Sequence, residues 1–210
     1  MLKHESKQKY HHGNLRPVLI QSARELAREV GVDTFTLREV SRRAGVSSAA
    51  PYHHFPNKAA LVRALVAEAL EELTNVMLEA KHAQSEPLAA LKAIKIAYVN
   101  FALRFPTEFR FMFRRGFGTP DSTQTVHCGE PDLTTTTYDI LLESILECQR
   151  AGVLAANDPN VMAMSAWSIA HGLASIILDG PIATQHANLQ WAEPLVDAVI
   201  DTLGLGLIHR

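Results

Sequence analysis

The stretch TLREVSRRAGVSSAAPYHHFPNK, from Thr36 to Lys58, leaves the chain few options. The Thr36 hydroxyl can accept an orphan N–H at a helix start, and Glu39 three residues on completes a capping box, so a helix is predicted to begin near Leu37. Leu37, Val40 and Ala44 recur at helical spacing as one buried stripe, which leaves Arg38, Arg42 and Arg43 outside. Gly45 ends this helix, because glycine takes a left-handed backbone without the penalty a Cβ brings. Val46 plugs the angle, Ser47 or Ser48 caps a second helix, and that helix is predicted to run through Ala49, Ala50, Pro51, Tyr52, His53, His54 and Phe55. Pro51 fits its first turn, where a missing N–H would have had no partner.

An ordinary packing helix would carry leucines where this one carries alanine, serine and aromatic residues. Small side chains let a helix axis approach base edges in the major groove of DNA, while Tyr52 and His53 are long enough to reach flanking phosphates. Lys58 opens the next helix, where its ammonium and the free N–H groups can share a phosphate. Read instead as packing, the aromatic run is core, and Phe55 by itself fits that reading. The expected DNA-facing set is Thr36, Arg38, Ser47, Ser48, Ala49, Ala50, Tyr52, His53 and Lys58.

Charge points to the same end of the chain. The formal net charge is only −2, but residues 1–63 carry +6 and the remainder −8. A basic module fused to an acidic one presents one end to phosphate and keeps the other away from it.

Polar residues 1–13, with Lys3, Lys7, Lys9, His11 and His12, read as a flexible arm. Asn14 is expected to cap a first helix whose stripe is Leu15, Leu19, Ala23, Leu26 and Val30, ending at Gly31, with Phe35 dropping into a three-helix core. A long helix is predicted from Lys58 to Lys81, another from Glu86 to Arg104, and a shorter one from Thr107 to Arg115 after the break at Pro106. A Gly-, Pro-, Ser- and Thr-rich loop follows, Gly116 to Thr136, then a helix from Thr137 to Ala151. Asp158 caps the next, which starts at Pro159 and runs to about Asp179 through Val161, Met164, Trp167, Ile169, Leu173, Ile176 and Ile177. Apolar around most of its circumference, it is expected to be buried on nearly every side. A last helix, Leu189 to Leu205, carries the stripe Trp191, Leu195, Val199 and Leu203. No strand alternation interrupts the series, so the expected fold class is all-α.

The residues GVSSAAPYHHFPNKAALVRAL, from Gly45, resemble the recognition-helix signature of the tetracycline-repressor (TetR) family, in which a glycine turn leads into a short helix ending in tyrosine, an aromatic or basic residue, phenylalanine and then lysine. The resemblance extends back through GVDTFTLREVSRRAG and the helix from Leu15. AWSIAHG, Ala166 to Gly172, resembles the Trp-x3-His-Gly motif of a WHG-type C-terminal domain in that family. Such membership implies about nine helices: a helix-turn-helix DNA-binding domain over 14–60 and a helical effector-binding and dimerisation domain over 61–210. It also implies a ligand-responsive, sequence-specific transcriptional regulator, a repressor released from a palindromic double-stranded DNA operator by a small apolar molecule. The alternative is a constitutive or architectural DNA-binding dimer without an effector. A homodimer suits either, because two heads on a two-fold axis read both halves of a palindrome, and the last two helices have apolar surface to spare for the interface.

A ligand site is harder to place. Phe101, Phe105, Phe109, Phe111, Met112 and Phe113 are dense for a chain with 7% aromatic residues, and aromatic side chains with methionine line adaptable apolar cavities as well as ordinary cores. Trp167 and His171 share a helix face, making His171 either a ligand contact or a core histidine bonded to a neighbouring carbonyl. The expected ligand-facing set is Phe101, Phe105, Phe109, Met112, Phe113, Trp167 and His171.

The remaining chemistry-bearing residues suggest no catalysis, cofactor or metal. The histidine pairs His11–His12 and His53–His54 are adjacent, so on a helix they diverge by about 100°, unlike zinc-binding i, i+4 pairs. HExxH, GxSxG, Cys-x2-Cys and Gly-rich phosphate loops do not occur. Cys128 and Cys148 read as reduced thiols. With no run of 18 uninterrupted apolar residues and no apolar leader, the expectation is a cytoplasmic protein that does not engage the membrane.

Overall fold

A computed structural model describes residues 15–113, 133–180 and 192–204. It is all-α: eight α-helices and one short 3-10 helix among the described residues. The chain divides into two compact units, Met1–Leu65 and Val66–Arg210. The expected arm 1–13, the Asn14 cap, Cys128 and Trp191 lie outside the described residues, as does the expected loop up to residue 132.

In the first unit, α1 (Leu15–Val30) and α2 (Leu37–Arg43) are followed by the 3-10 helix (Ala50–His53) and the start of α3 (Lys58–His82). The capping box forms as the sequence predicts: Glu39 N–H donates to Thr36 Oγ1 at 3.2 Å, and Thr36 N–H donates to Glu39 Oε2 at 2.7 Å. Thr36→Ala should therefore cost about 1 kcal/mol, read as a lower urea midpoint for this unit. At the other end of α2, Gly45 has φ +69, Val46 N–H donates to Ser41 O at 3.0 Å and Gly45 N–H to Arg42 O at 3.3 Å. This Schellman pattern satisfies the last carbonyls and turns the chain sharply.

The segment after the turn is not the helix expected. Ala50, Tyr52 and His54 N–H donate to the carbonyls of Ser47, Ala49 and Pro51, an i to i+3 ladder, and Ala49 takes the N-cap position with no side-chain bond. The prolines bound the short coil. Pro51 sits in the first turn, where its missing N–H costs nothing, but Pro56 disfavours helical backbone at Phe55 and stops the coil after one turn. Phe55 drops into the core at 3% exposure, beside Leu19, Phe35, Val40 and Leu61 in the buried set. Asn57 then caps α3, its Oδ1 accepting from Ala60 N–H at 2.9 Å. Val30 is exposed, against expectation, and Ile20 and Ala27 join the buried face of α1 instead.

The second unit is built from the rest of α3 with α4 (Pro87–Arg104), α5 (Pro106–Met112), α6 (Leu133–Arg150), α7 (Pro159–Asp179) and α8 (Ala192–Gly204). Helix α6 begins four residues before the predicted start. Helix α4 packs on α6, α7 and α8, and α6 packs on α7. Leu91, Ile145, Leu154, Met162, Ala163 and Ala166 meet in its core, with the Cys148 thiol, which burial pushes up to about 11. Lys81 at the end of α3 ion-pairs with Glu147 of α6 at 2.9 Å. Asp158 caps α7 as predicted, its Oδ1 accepting from Asn160 N–H at 2.9 Å.

Helix α7 is not buried on nearly every side. Its buried face is Met162, Ala163, Ala166, Ala170, Ala174, Ile177 and Leu178, four of them alanines that let neighbouring helices approach closely, while Val161 (62%), Met164 (49%) and Ile176 (49%) stay exposed. By length and mean hydropathy α7 is also long enough to cross a bilayer. Among the α8 side chains described, the fully buried ones are Val196 and Ile200, one position on from the predicted Leu195 and Val199, which are half-buried.

Candidate nucleic-acid interface and ligand site

The α2–turn–3-10 segment is held from behind. Arg43, expected on the outside, reaches back to α1 and forms a two-pronged pair with Glu29 (2.7 and 2.5 Å), with Glu25 at 3.7 Å. Hydrogen bonding from Arg43 holds the Glu29 carboxyl below its ordinary value. Ser41, buried within α2, donates to Leu37 O at 2.8 Å. Arg16 lies over the Phe55 ring at 5.4 Å.

What this scaffold presents outward is mostly the expected set. Thr36, Arg38, Ser47, Ser48, Ala49, Tyr52 and His53 are exposed, Tyr52 at 58%, and Ala50 is half-buried. Two members are partly committed within the protein. The Thr36 hydroxyl accepts from Glu39 N–H and donates to Glu39 Oε2 at 2.9 Å, and this hydroxyl bond together with the one from Thr36 N–H holds the Glu39 carboxyl below its usual range. Lys58 is half-buried; its Nζ donates to Asp33 O at 2.5 Å and stands 4.6 Å over the Phe35 ring. Desolvation lowers its ammonium, with Asp33 and Glu39 opposing that shift. Lys58 thus fastens the loop after α1 to the start of α3, a role its position in sequence does not announce.

In the second unit, Phe109, Phe113, Trp167 and His171 of the expected ligand set come together. The His171 ring is 4.7 Å from Phe113, 5.3 Å from Phe109 and 6.0 Å from Trp167. Phe101 pairs with Phe105 at 5.1 Å, and no ring contact among the described residues joins that pair to the cluster. Phe101 and Met112 are core, at 3% and 2% exposure.

The residue that organises the cluster is Tyr98, absent from the sequence expectation. Its ring is 5.8 Å from Phe109 and 6.4 Å from Phe113, and its hydroxyl joins Trp167 Nε1 (3.3 Å) to His171 Nδ1 (2.9 Å). The His171 partner is therefore this hydroxyl rather than a carbonyl. Burial raises the Tyr98 phenol and lowers the His171 imidazole, so both stay neutral near pH 7. A signal for Tyr98 did exist: a tyrosine inside the apolar run of α4 must find a partner for its oxygen. Tyr138, also missed, edges Trp167 at 6.5 Å and donates to Asn160 O at 3.3 Å. Lys95, 6% exposed, is a buried polar group the pattern also hid; desolvation lowers its ammonium. No group of three potential metal ligands occurs among the described residues.

A glycine-turned helix pair in the first unit and an all-α second unit define a helix-turn-helix protein with a separate helical domain. Residues 19–65 match the family described as bacterial regulatory proteins, tetR family, and residues 91–203 match the tetracyclin repressor-like C-terminal domain. The chain belongs to the tetR family. Similar proteins include the Escherichia coli tetracycline repressor protein class A from transposon 1721, 45% identical over 71 residues, which are 34% of this chain and 29% of that protein. Another is the HTH-type transcriptional regulator BetI of Escherichia coli O45:K1, 33% identical over 86 residues, 41% of this chain and 44% of that one. The chain thus spans less than half the length of these curated relatives. Among solved structures, a protein with unknown function from Rhodococcus sp. RHA1 superposes with a TM-score of 0.80 at 30% identity, covering 97% of this chain and 100% of that one. The TetR family transcriptional regulator PfmR of Thermus thermophilus shares the fold at 20% identity, with a TM-score of 0.64 over 91% of this chain and 99% of that one.

Proposed function

We propose that the protein is a ligand-responsive, sequence-specific DNA-binding transcription regulator, a homodimeric repressor that leaves a palindromic operator when a small apolar molecule enters the second unit. The observation that carries the DNA reading is the outward row Ser47, Ser48, Ala49, Tyr52 and His53 on a segment pinned from behind by Arg43 and Phe55. A rigid support with small outward side chains suits a groove, and exposed Tyr52 suits a phosphate. Lys58, with one proton on Asp33 O, keeps two for a phosphate beside it.

Release follows as a population shift. Helix α3 starts at the head and ends where Lys81 pairs with Glu147, so a ligand that favours one placement of α6 biases α3 as well. The burial of Phe101, Phe109, Phe111 and Met112 favours a second reading, a constitutive or architectural DNA-binding dimer without an effector.

Tyr52→Phe should weaken binding to every duplex alike by about 10- to 150-fold, the worth of one hydrogen bond to a charged phosphate. Lys58→Ala should lower the slope of log affinity against log salt by about 1. Mobility-shift titrations on matched and scrambled duplexes across a salt series check both. A changed base preference at unchanged affinity would contradict the phosphate assignment. Failure of the unaltered protein to retard any duplex at low salt would remove the function.

A further inference from the structure

The chain of hydrogen bonds in the second unit fixes a proton, and that proton narrows the effector, provided the unit takes one as proposed above. An indole N–H can only donate, so Trp167 gives to Tyr98 Oη. Tyr98 is 4% exposed, and His171 Nδ1 is the one acceptor its hydroxyl has among the described residues. Were Nδ1 protonated, the phenol proton would be buried without an acceptor, at a cost of about 1–3 kcal/mol. The imidazole hydrogen therefore sits on Nε2. That N–H has no partner among the described residues, and it belongs to a half-buried ring walled by Phe109 and Phe113 and by Trp167, which Tyr138 edges in turn.

We propose that His171 Nε2–H is the hydrogen-bond donor of the effector site, and that the effector is an uncharged, flat, apolar molecule carrying a carbonyl-type acceptor. Rings at 4.7–6.5 Å favour offset or edge contacts with another planar group. A carboxylate would bring a charge among half-buried aromatic rings, and the cluster of Tyr98, Phe109, Phe113, Tyr138, Trp167 and His171 contributes no ammonium or guanidinium to offset its desolvation. A cation would find aromatic faces but meet the positive end of the N–H dipole. A plain hydrocarbon would leave the donor unsatisfied.

Calorimetric titration of the full-length protein with four probes of one shape tests this: naphthalene, 2-acetylnaphthalene, 2-naphthoate and trimethyl(2-naphthyl)ammonium. The ketone should bind about 3- to 10-fold more tightly than the hydrocarbon. His171→Phe should bring the ketone down to the hydrocarbon's affinity. Equal binding of ketone and hydrocarbon by the unaltered protein overturns the donor assignment while leaving an effector site standing, and so does tightest binding of the naphthoate or the ammonium. Absence of binding by all four overturns the effector reading itself and the proposal with it. Nitrogen-15 spectra of the imidazole give a readout that needs neither ligand nor the His171 variant. A proton on Nε2 that loses its preference in Tyr98→Phe supports the relay, and a proton on Nδ1 overturns it.

Discussion

Phe35→Ala should unfold the amino-terminal head and abolish DNA retardation while the helices of the second unit persist. Phe35 is 1% exposed among the buried side chains of its unit, and Lys58 Nζ covers its face at 4.6 Å. Deleting a buried phenylalanine ring costs about 3–5 kcal/mol through lost transfer energy and the cavity left behind. A unit of this size buries a smaller share of its surface than a larger domain does, so its stability sits toward the low end of the usual range of about 5–15 kcal/mol. The loss is then comparable to the whole margin. Hydrogen exchange should show α1 and α2 amides losing protection while those of α4, α6 and α7 keep theirs. Phe35→Leu, which fills most of the same volume, should cost under about 1.5 kcal/mol and keep DNA binding. Unchanged protection of α1 and α2 in Phe35→Ala would show that this ring does not hold the head together.

Features set by neighbouring residues were legible in the chain. The Thr36–Glu39 box, the Gly45 turn and the Asp158 cap depend on hydrogen bonds and backbone angles within a few positions, so spacing alone reveals them. Even locally, one competing signal overrides the helical pattern: Pro56 pulls Phe55 out of helical backbone, and the expected second helix contracts to a 3-10 turn. Faces were less legible than elements. On α7 an apolar circumference suggested burial on nearly every side, yet the buried face is built largely of alanines, because close helix packing selects for small side chains and leaves Val161, Met164 and Ile176 outside. On α8 adjacent apolar pairs, Leu195–Val196 and Val199–Ile200, make a broad stripe whose inner edge the sequence does not mark.

The sites divide the same way. The outward row from Ser47 to His53 could be read because its residue types are wrong for packing. The pairings that support it, Arg43 with Glu29 and Lys58 with Asp33 O, join residues 14 and 25 positions apart. Tyr98 and His171 meet across 73 positions. Periodicity carries no information about which distant helices touch, so these contacts had to be seen in three dimensions.

The exposed side of α7 leads to the second large effect. Val161, Met164 and Ile176, with Ser165 and Ser168 between them, lie along one side of the helix and are exposed in the single chain. If two copies meet there about a two-fold axis, each residue occurs twice in the contact, so one substitution alters the interface twice over. Val161→Glu combined with Ile176→Glu would bring four carboxylates into an apolar contact, where none has a cationic partner to offset desolvation. Sedimentation should then report a monomer. Affinity for a palindromic duplex should fall at least ~100-fold, since losing one half-site forfeits several base pairs worth ~1–3 kcal/mol each. Because both side chains are exposed in the monomer, its own unfolding midpoint should shift by no more than about 0.5 kcal/mol. That separation of effects distinguishes an interface from a fold defect: a variant that remains dimeric places the contact elsewhere, and one that becomes monomeric yet holds the palindrome as tightly as before shows that the two heads do not read it together.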